Sequence, residues 1–305
     1  MDWYLESHIM TKGLSEAVCT SYRSTIKNLK VVFGDVNPLE LSEDHQDEYI
    51  RQRKLGTIGR RGPAMMSTID HEITVLIAAI HRGIKKRKLH RRCVPVIEKK
   101  QQYQARIYWI TRAEAARLLR AARRLHRIKA KTFAERRKMS DGELFIWLAL
   151  KTGQRRDAIL NLKYHTQVNF SVGEVDFQDP AKRETSKRNA RQQMTPSVFR
   201  VLRRRFNERP PHRPTVFPAG IDMNRIFNKI ARAADLPEAT PHTCRHSFIT
   251  WALAASADLY YLSAVANCSV STLLSTYAHS VPAVSLAKLK KWVSDKNART
   301  SGARV

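Results

Sequence analysis

The chain has 305 residues and a formal charge of +28 at pH 7, from 55 lysines and arginines against 27 aspartates and glutamates. That excess is larger than surface solvation requires and calls for a polyanionic counterpart, of which nucleic acid is the commonest. At 43% hydrophobic the sequence can build a core in each of about two domains, but its apolar runs, 75–80 and 145–150, are core-sized and exclude a membrane span.

A membrane surface as the anionic partner would call for a basic amphipathic anchor or a lipidation signal, and the sequence has neither. Asp2 and Glu6 make the N-terminus acidic, without the pattern of a signal peptide, so the chain is expected in the cytoplasm. Cys19, Cys93, Cys244 and Cys268 lack the paired spacing of a disulfide framework or a zinc ribbon. His242, Cys244 and His246 alternate along a helix and have no second ligand pair, so no metal is expected there.

Helical periodicity begins at Ser15 and Glu16, with Val18, Tyr22, Ile26, Leu29 and Phe33 on one face and Gly34 as the expected C-cap. A second helix is expected from Ser42, carrying Tyr49 and Ile50, and 56–63 reads as a flexible basic connection. From Met65 onward Ile69, Ile73, Leu76, Ile77, Ile80 and Ile84 keep helical spacing, which completes a small all-helical unit. The most basic stretch follows: Arg82, Lys85, Lys86, Arg87, Lys88, His90, Arg91 and Arg92, with Lys99 and Lys100 beyond Pro95. Charge runs are commonly solvated helix ends. Between two domains of so basic a chain, Arg82, Lys85, Lys86, Arg87, Lys88, Arg91 and Arg92 are read as contacts to a DNA backbone. The expected organisation is a helical domain over 1–92, a basic linker over 93–106, a second domain over 107–293 and a polar tail over 294–305.

The second domain opens with a capping box, Thr111 to Glu114, ahead of an apolar helix. Another, Ser140 to Glu143, begins a helix over 144–150 that ends at Thr152 and Gly153. A further helix starts at 154–157 with Ile159, Leu160 and Leu162 facing inward, which puts Arg155 at a turn between two buried helices. Short extended pieces over 167–170, 174–177 and 191–194 predict a small antiparallel sheet, with a lysine-rich hairpin over 179–189. Helices are expected over 198–207 and 223–234, separated by a loop containing Pro210, Pro211, Pro214 and Pro218. The C-terminal helices are expected over 242–255, 259–266, 269–277 and 284–293.

His242 and Arg245, three residues apart, share a helical face, and Tyr277 follows in another helix. Arginine grips phosphate through two parallel donors and a charge that never titrates. Arg155, a hairpin lysine, His242, Arg245 and Tyr277 together supply what phosphodiester transfer through a tyrosine requires. Taken singly each has a plainer use: a tyrosine in a helix core, a histidine capping a helix, Arg245 pairing with Asp258 or Glu238.

In order and local context these residues resemble the tyrosine recombinase, or phage integrase, family. The resemblance covers nearly the whole chain and is most specific over Thr152 to Leu162 (TGQRRDAILNL), Pro241 to Thr250 (PHTCRHSFIT) and Ser269 to His279 (SVSTLLSTYAH). It implies a mainly α fold with a small antiparallel β-sheet: a helical core-binding domain plus an α+β catalytic domain. It also implies that Arg155 and Arg245 clamp the scissile phosphate, that His242 assists and handles the proton of the nucleophile, and that Tyr277 forms a 3′-phosphotyrosyl bond. A hairpin lysine, Lys187 with Lys182 as the alternative, would protonate the departing 5′ oxygen. The implied partners are double-stranded DNA attachment sites, four protomers of the chain itself, monomeric when free, and a directionality or DNA-bending factor. No cofactor or metal is implied, and the setting is the cytoplasm of a bacterium or its phage, at the nucleoid.

The sequence departs from the family pattern in three places. Val265-Ala266-Asn267 stands where Leu-Gly-His, or tryptophan in place of that histidine, is usual, and an asparagine amide donates to a phosphate oxygen but cannot shuttle a proton. Ala158 replaces an acidic residue three positions after Arg155, leaving Asp157 as the nearest substitute. The usual proline ahead of the next helix is shifted to Pro196. His246 and His279 read equally well as structural. Two other functions stay open: a recombinase-like DNA-binding protein with weak or no catalysis, and a type IB topoisomerase.

Overall fold

The computed structural model describes residues 1–59, 62–93, 97, 108–178, 191–210 and 212–277. The chain divides into two units, Met1–Gln104 and Ala105–Val305. The first unit begins with α1 (Asp2–Tyr4), a π turn (Leu5–Ile9) and a 3-10 turn (Met10–Lys12), followed by α2 (Glu16–Phe33), α3 (Glu43–Leu55) and α4 (Met66–Lys85). The predicted apolar faces form its core: Ile26, Leu29 and Phe33 of α2 meet Tyr49 and Ile50 of α3 and Ile69, Ile73, Leu76 and Ile80 of α4. Tyr4 and Ile9 of the N-terminal turns join them, a segment that the periodicity of residues 1–12 was too short to reveal. A buried polar knot ties the three long helices together. Arg53 Nε and Nη2 donate to the two oxygens of Glu72 at 2.8 and 2.9 Å, and Tyr49 and Asn28 complete the carboxylate's hydrogen bonds.

The second unit follows as α5 (Arg112–Lys129), α6 (Phe133–Arg137), α7 (Asp141–Thr152), α8 (Arg156–Leu160), α9 (Tyr164–Gln167), β1 (Val168–Asn169), β2 (Glu174–Asp176) and β3 (Arg191–Gln193). It continues with α10 (Pro196–Asn207), α11 (Met223–Ala233), α12 (Pro241–Ala254), α13 (Leu259–Ala266) and α14 (Val270–Tyr277). Helix α7 is apolar nearly all round, and such a helix must be enclosed. It packs on α12, α5 and α11, with Phe145 meeting Phe217 and Phe227 edge-on. The sheet has the order β1-β2-β3, antiparallel throughout, with Val168 opposite Val175 and Val175 opposite Gln192. A smaller apolar cluster joins α12, α13 and α14 through Ile249, Leu253, Leu262, Ala266, Leu273 and Tyr277.

The local chemistry corrects several expectations. Gly34 follows α2 as predicted but in right-handed conformation (φ −63°), so the left-handed cap expected there is absent. The Thr111 box closes in both directions, whereas Ser140 receives only the Glu143 amide; the Glu143 carboxylate, buried, binds Arg123 instead. The expected strand start at Gln167 is the end of α9, and the strands are two or three residues long. Helix α10 starts at Pro196, whose missing N–H costs nothing in a first turn capped by Thr195. The linker over 93–106 apart from Cys93 and Ile97, the lysine hairpin with Lys182 and Lys187, the helix over 284–293 and the tail lie outside the described residues. Among the described residues no helix is long and apolar enough to cross a membrane.

Candidate active site

Helix α12 starts at Pro241, with Thr240 and Thr243 exchanging hydrogen bonds as its cap. His242, Arg245 and His246 stand at i, i+3 and i+4 and therefore share one face. Cys244 points the other way into the main core, where burial pushes its thiol up to about 12. The cap belongs to the threonines, which frees His242 from the plainer role open to it in the sequence.

Arg245 is 5% exposed, and its Nη1 donates to the Gly153 carbonyl at 2.7 Å. Gly153 ends α7 in left-handed conformation (φ 64°), which turns that carbonyl toward α12. Two residues on, Arg155 is the N-cap of α8, half-buried, and its Nη2 donates to the Asn267 carbonyl at 2.9 Å. Burial lowers the pKa of Arg245, and the nearby charge of Arg155 lowers it further. A buried guanidinium beside a second cation is stabilised by an anion placed between them.

Asn267 closes α13 in left-handed conformation (φ 48°), a geometry asparagine tolerates better than most residues. Its Nδ2 is buried and has no hydrogen-bond partner among the described residues. The surroundings are braced by Gln154, which donates to Val265 O at 2.7 Å, and by Gln192 of β3, which donates to Val265 O and Thr152 O at 3.0 Å each. The sheet thereby holds the ends of α7 and α13 in register.

Tyr277, at the end of α14, is 3% exposed. Burial pushes its phenol up to about 12, against the pull of Arg245. Its hydroxyl lies 2.5 Å from His246 Nδ1. The His246 ring meets His242 edge to face, centroids 4.4 Å apart. Burial first, then His242 and Arg245, drive His246 down to about 4. His242 keeps an exposed edge, yet the protein packed around it lowers its pKa, with Arg245 and Arg155 adding to the effect. Both imidazoles are therefore neutral near pH 7, and a neutral His246 with its proton on Nε2 accepts the phenolic hydrogen bond.

Arg155, His242, Arg245, Asn267 and Tyr277 thus share one location, while Lys187 and Lys182 fall outside the described residues. Asp157 does not substitute as the acidic support of Arg155: it is exposed and accepts from Arg156 Nε at 2.8 Å, while Arg155 Nη2 donates to the carbonyl of Asn267. Asp258, an alternative partner for Arg245, instead caps α13 through the Tyr261 amide. The residue that sequence reading left out is His246, whose i,i+4 relation to His242 was the available signal. In the first unit, Lys85, Lys86, Arg87, Lys88, Arg91 and Arg92 are exposed. Arg82 differs: it is half-buried, with Nε enclosed, near Tyr4 and His8.

The sequence model of the phage integrase family matches residues 108–283, more than half of the chain. No curated protein matches it. Among solved structures, the Tn1549 transposon integrase in complex with transposon right end DNA is similar at a TM-score of 0.70 and 14% identity, over 96% of this chain and 98% of that one. A lambda integrase dimer bound to a COC′ core site is similar at 0.62 and 14% identity, over 90% and 93%. At such identities the likeness is one of fold.

Proposed function

The chain belongs to the phage integrase family of tyrosine recombinases, and from that premise we propose that it is a site-specific recombinase that integrates or excises a mobile element. Tyr277 Oη attacks a phosphorus of duplex DNA as its proton passes to the neutral imidazole of His242. The bond to the 5′ oxygen breaks, leaving a 3′-phosphotyrosyl bond, and that oxygen departs with a proton from Lys187 or Lys182. Rejoining is the reverse attack by a 5′ hydroxyl, and because one phosphoester replaces another, no nucleotide is consumed. Arg155 and Arg245 hold the non-bridging oxygens and absorb the charge that grows in the transition state. His242 and the Asn267 amide donate to the same phosphate.

The observation that carries this reading is the buried guanidinium of Arg245 beside the charge of Arg155, in one cluster with the Tyr277 hydroxyl. The N-terminal unit serves as the core-binding arm through Lys85, Lys86, Arg87, Lys88, Arg91 and Arg92, and four protomers pair two attachment sites in the cytoplasm. A directionality or bending factor assists.

The test is a nicked suicide duplex of the attachment site. Wild type traps a covalent complex and Tyr277→Phe does not; a wild type that traps none, or a phenylalanine variant that traps as much, sinks the assignment. One feature favours a second reading, DNA binding without catalysis: Asn267 offers an amide where proton transfer needs an ionisable group. Tight site binding by a wild type that never cleaves selects it. Relaxation of supercoiled DNA lacking any attachment site would select a topoisomerase.

A further inference from the structure

We infer that His246 is the residue that positions the Tyr277 hydroxyl for attack, accepting its hydrogen bond at Nδ1 and so fixing the phenol about its ring axis. The inference deepens the reading of Tyr277 as nucleophile and rests on it.

The geometry comes from two helices far apart in sequence. His246 lies on α12, one turn beyond His242, and Tyr277 ends α14. The 2.5 Å contact is the hydrogen bond recorded for the tyrosine hydroxyl among the described residues. The ring of His246 is itself immobilised, edge-on to His242 at an interplanar angle of 84° and tilted by 44° against the Tyr277 ring. A phenol packed in an apolar cluster keeps rotational freedom only in its C–O bond, and one acceptor at Nδ1 removes it. That fixes the direction of the oxygen lone pairs, which is the quantity a nucleophile needs set before its phosphorus arrives.

The groups facing His246 are His242 and Arg245 on its own helix and Tyr277 across from it. Burial raises the Tyr277 phenol and lowers the His246 imidazole, so in the free protein the proton stays on the tyrosine. His246 is therefore a positioning residue and not a resting-state base. Asn267, limited to an amide, cannot take over an imidazole's role here.

Two substitutions separate positioning from packing. His246→Asn keeps an acceptor near the place of Nδ1, and His246→Phe keeps the ring against His242 while removing the acceptor. On a suicide duplex at saturating concentration, the asparagine variant is expected to cleave within about 10-fold of wild type and the phenylalanine variant at least about 100-fold slower, both with wild-type DNA affinity. Equal rates for the two variants overturn the inference. A second measurement does not depend on activity: in protein carrying ¹⁵N-histidine, Tyr277→Phe is expected to move the Nδ1 resonance of His246 and leave its Nε2–H tautomer in place. An unmoved Nδ1 resonance overturns the inference even if Tyr277 is the nucleophile. A moved resonance in a protein that never cleaves upholds the contact and fails only the recombinase reading.

Discussion

Arg245 and Gly153 are joined across 92 positions of sequence by a guanidinium donating to a backbone carbonyl at 2.7 Å. The carbonyl faces the arginine because Gly153 adopts a left-handed conformation that an L side chain enters at a cost of about 1–2 kcal/mol. A methyl group there would also collide with the Phe248 ring. Gly153→Ala is expected to lose at least about 2 kcal/mol of stability in urea unfolding, and to lose cleavage more steeply than DNA affinity. Wild-type cleavage by the alanine variant would mean that this carbonyl does not orient Arg245.

Arg155 and Arg245 each donate to a backbone carbonyl, which sets the direction of the guanidinium fork they present to an incoming anion. Lysine preserves the charge but not the fork. Arg245→Lys is expected to slow cleavage by about 100- to 1,000-fold with a small change in affinity, and Arg155→Lys to behave alike. Single-turnover cleavage beside equilibrium binding measures both. Parallel losses of rate and affinity would assign the arginines to ground-state binding.

Much of this site was legible in the sequence because its parts are local motifs. The arginine three residues after His242 and the glycine ahead of Arg155 each declare themselves within a few residues. The His246–Tyr277 contact was hidden because it joins helices 31 positions apart, and spacing along one helix says nothing about what faces it. Ser140 and Glu143 show the converse failure: the capping pattern is present, but a carboxylate that can reach Arg123 satisfies a charge there instead of returning to its own helix end. Arg82 illustrates a third kind, since a run of like charges looks uniform in sequence while helix geometry turns one member inward.

Stability should fall with acid through His246. Its folded pKa, near 4, lies below the ordinary value of 6.5, so from pH 6.5 downward the unfolded chain binds a proton that the folded one refuses. The contribution is complete above pH 6.5 and is lost as pH falls toward 4. Allowing for screening at a partly exposed ring, the loss between pH 7 and 5 is on the order of 1 kcal/mol. His246→Asn should lose about that much less than wild type over the same interval, with His242 still titrating in both. Superimposable pH profiles of unfolding would contradict the depressed value.

The Arg53–Glu72 pair in the N-terminal unit is nearly dry, at 7% and 5% side-chain exposure. Removing one partner strands the other, at a cost of about 3–5 kcal/mol, whereas replacing both with apolar residues of similar volume is often neutral. Glu72→Gln is therefore expected to speed hydrogen exchange in α2, α3 and α4, and the double variant Arg53→Met, Glu72→Leu to restore much of the protection. A single variant as protected as wild type would show that Tyr49 and Asn28 satisfy Arg53's surroundings without the charge.

Lys85, Lys86 and Lys88 are exposed at and just beyond the end of α4, next to Arg87 in left-handed conformation (φ 56°). Each phosphate neutralised adds about −0.9 to the slope of log affinity against log salt. If the three lysines each meet a phosphate, replacing them together with glutamine should flatten that slope by about 2.7 and weaken binding to cognate and unrelated duplex alike, because backbone contacts carry no sequence information. Arg82, turned toward Tyr4 and His8, should leave the slope unchanged when replaced. An unchanged slope in the triple variant would remove this turn from the DNA-facing surface and leave the affinity to other basic positions.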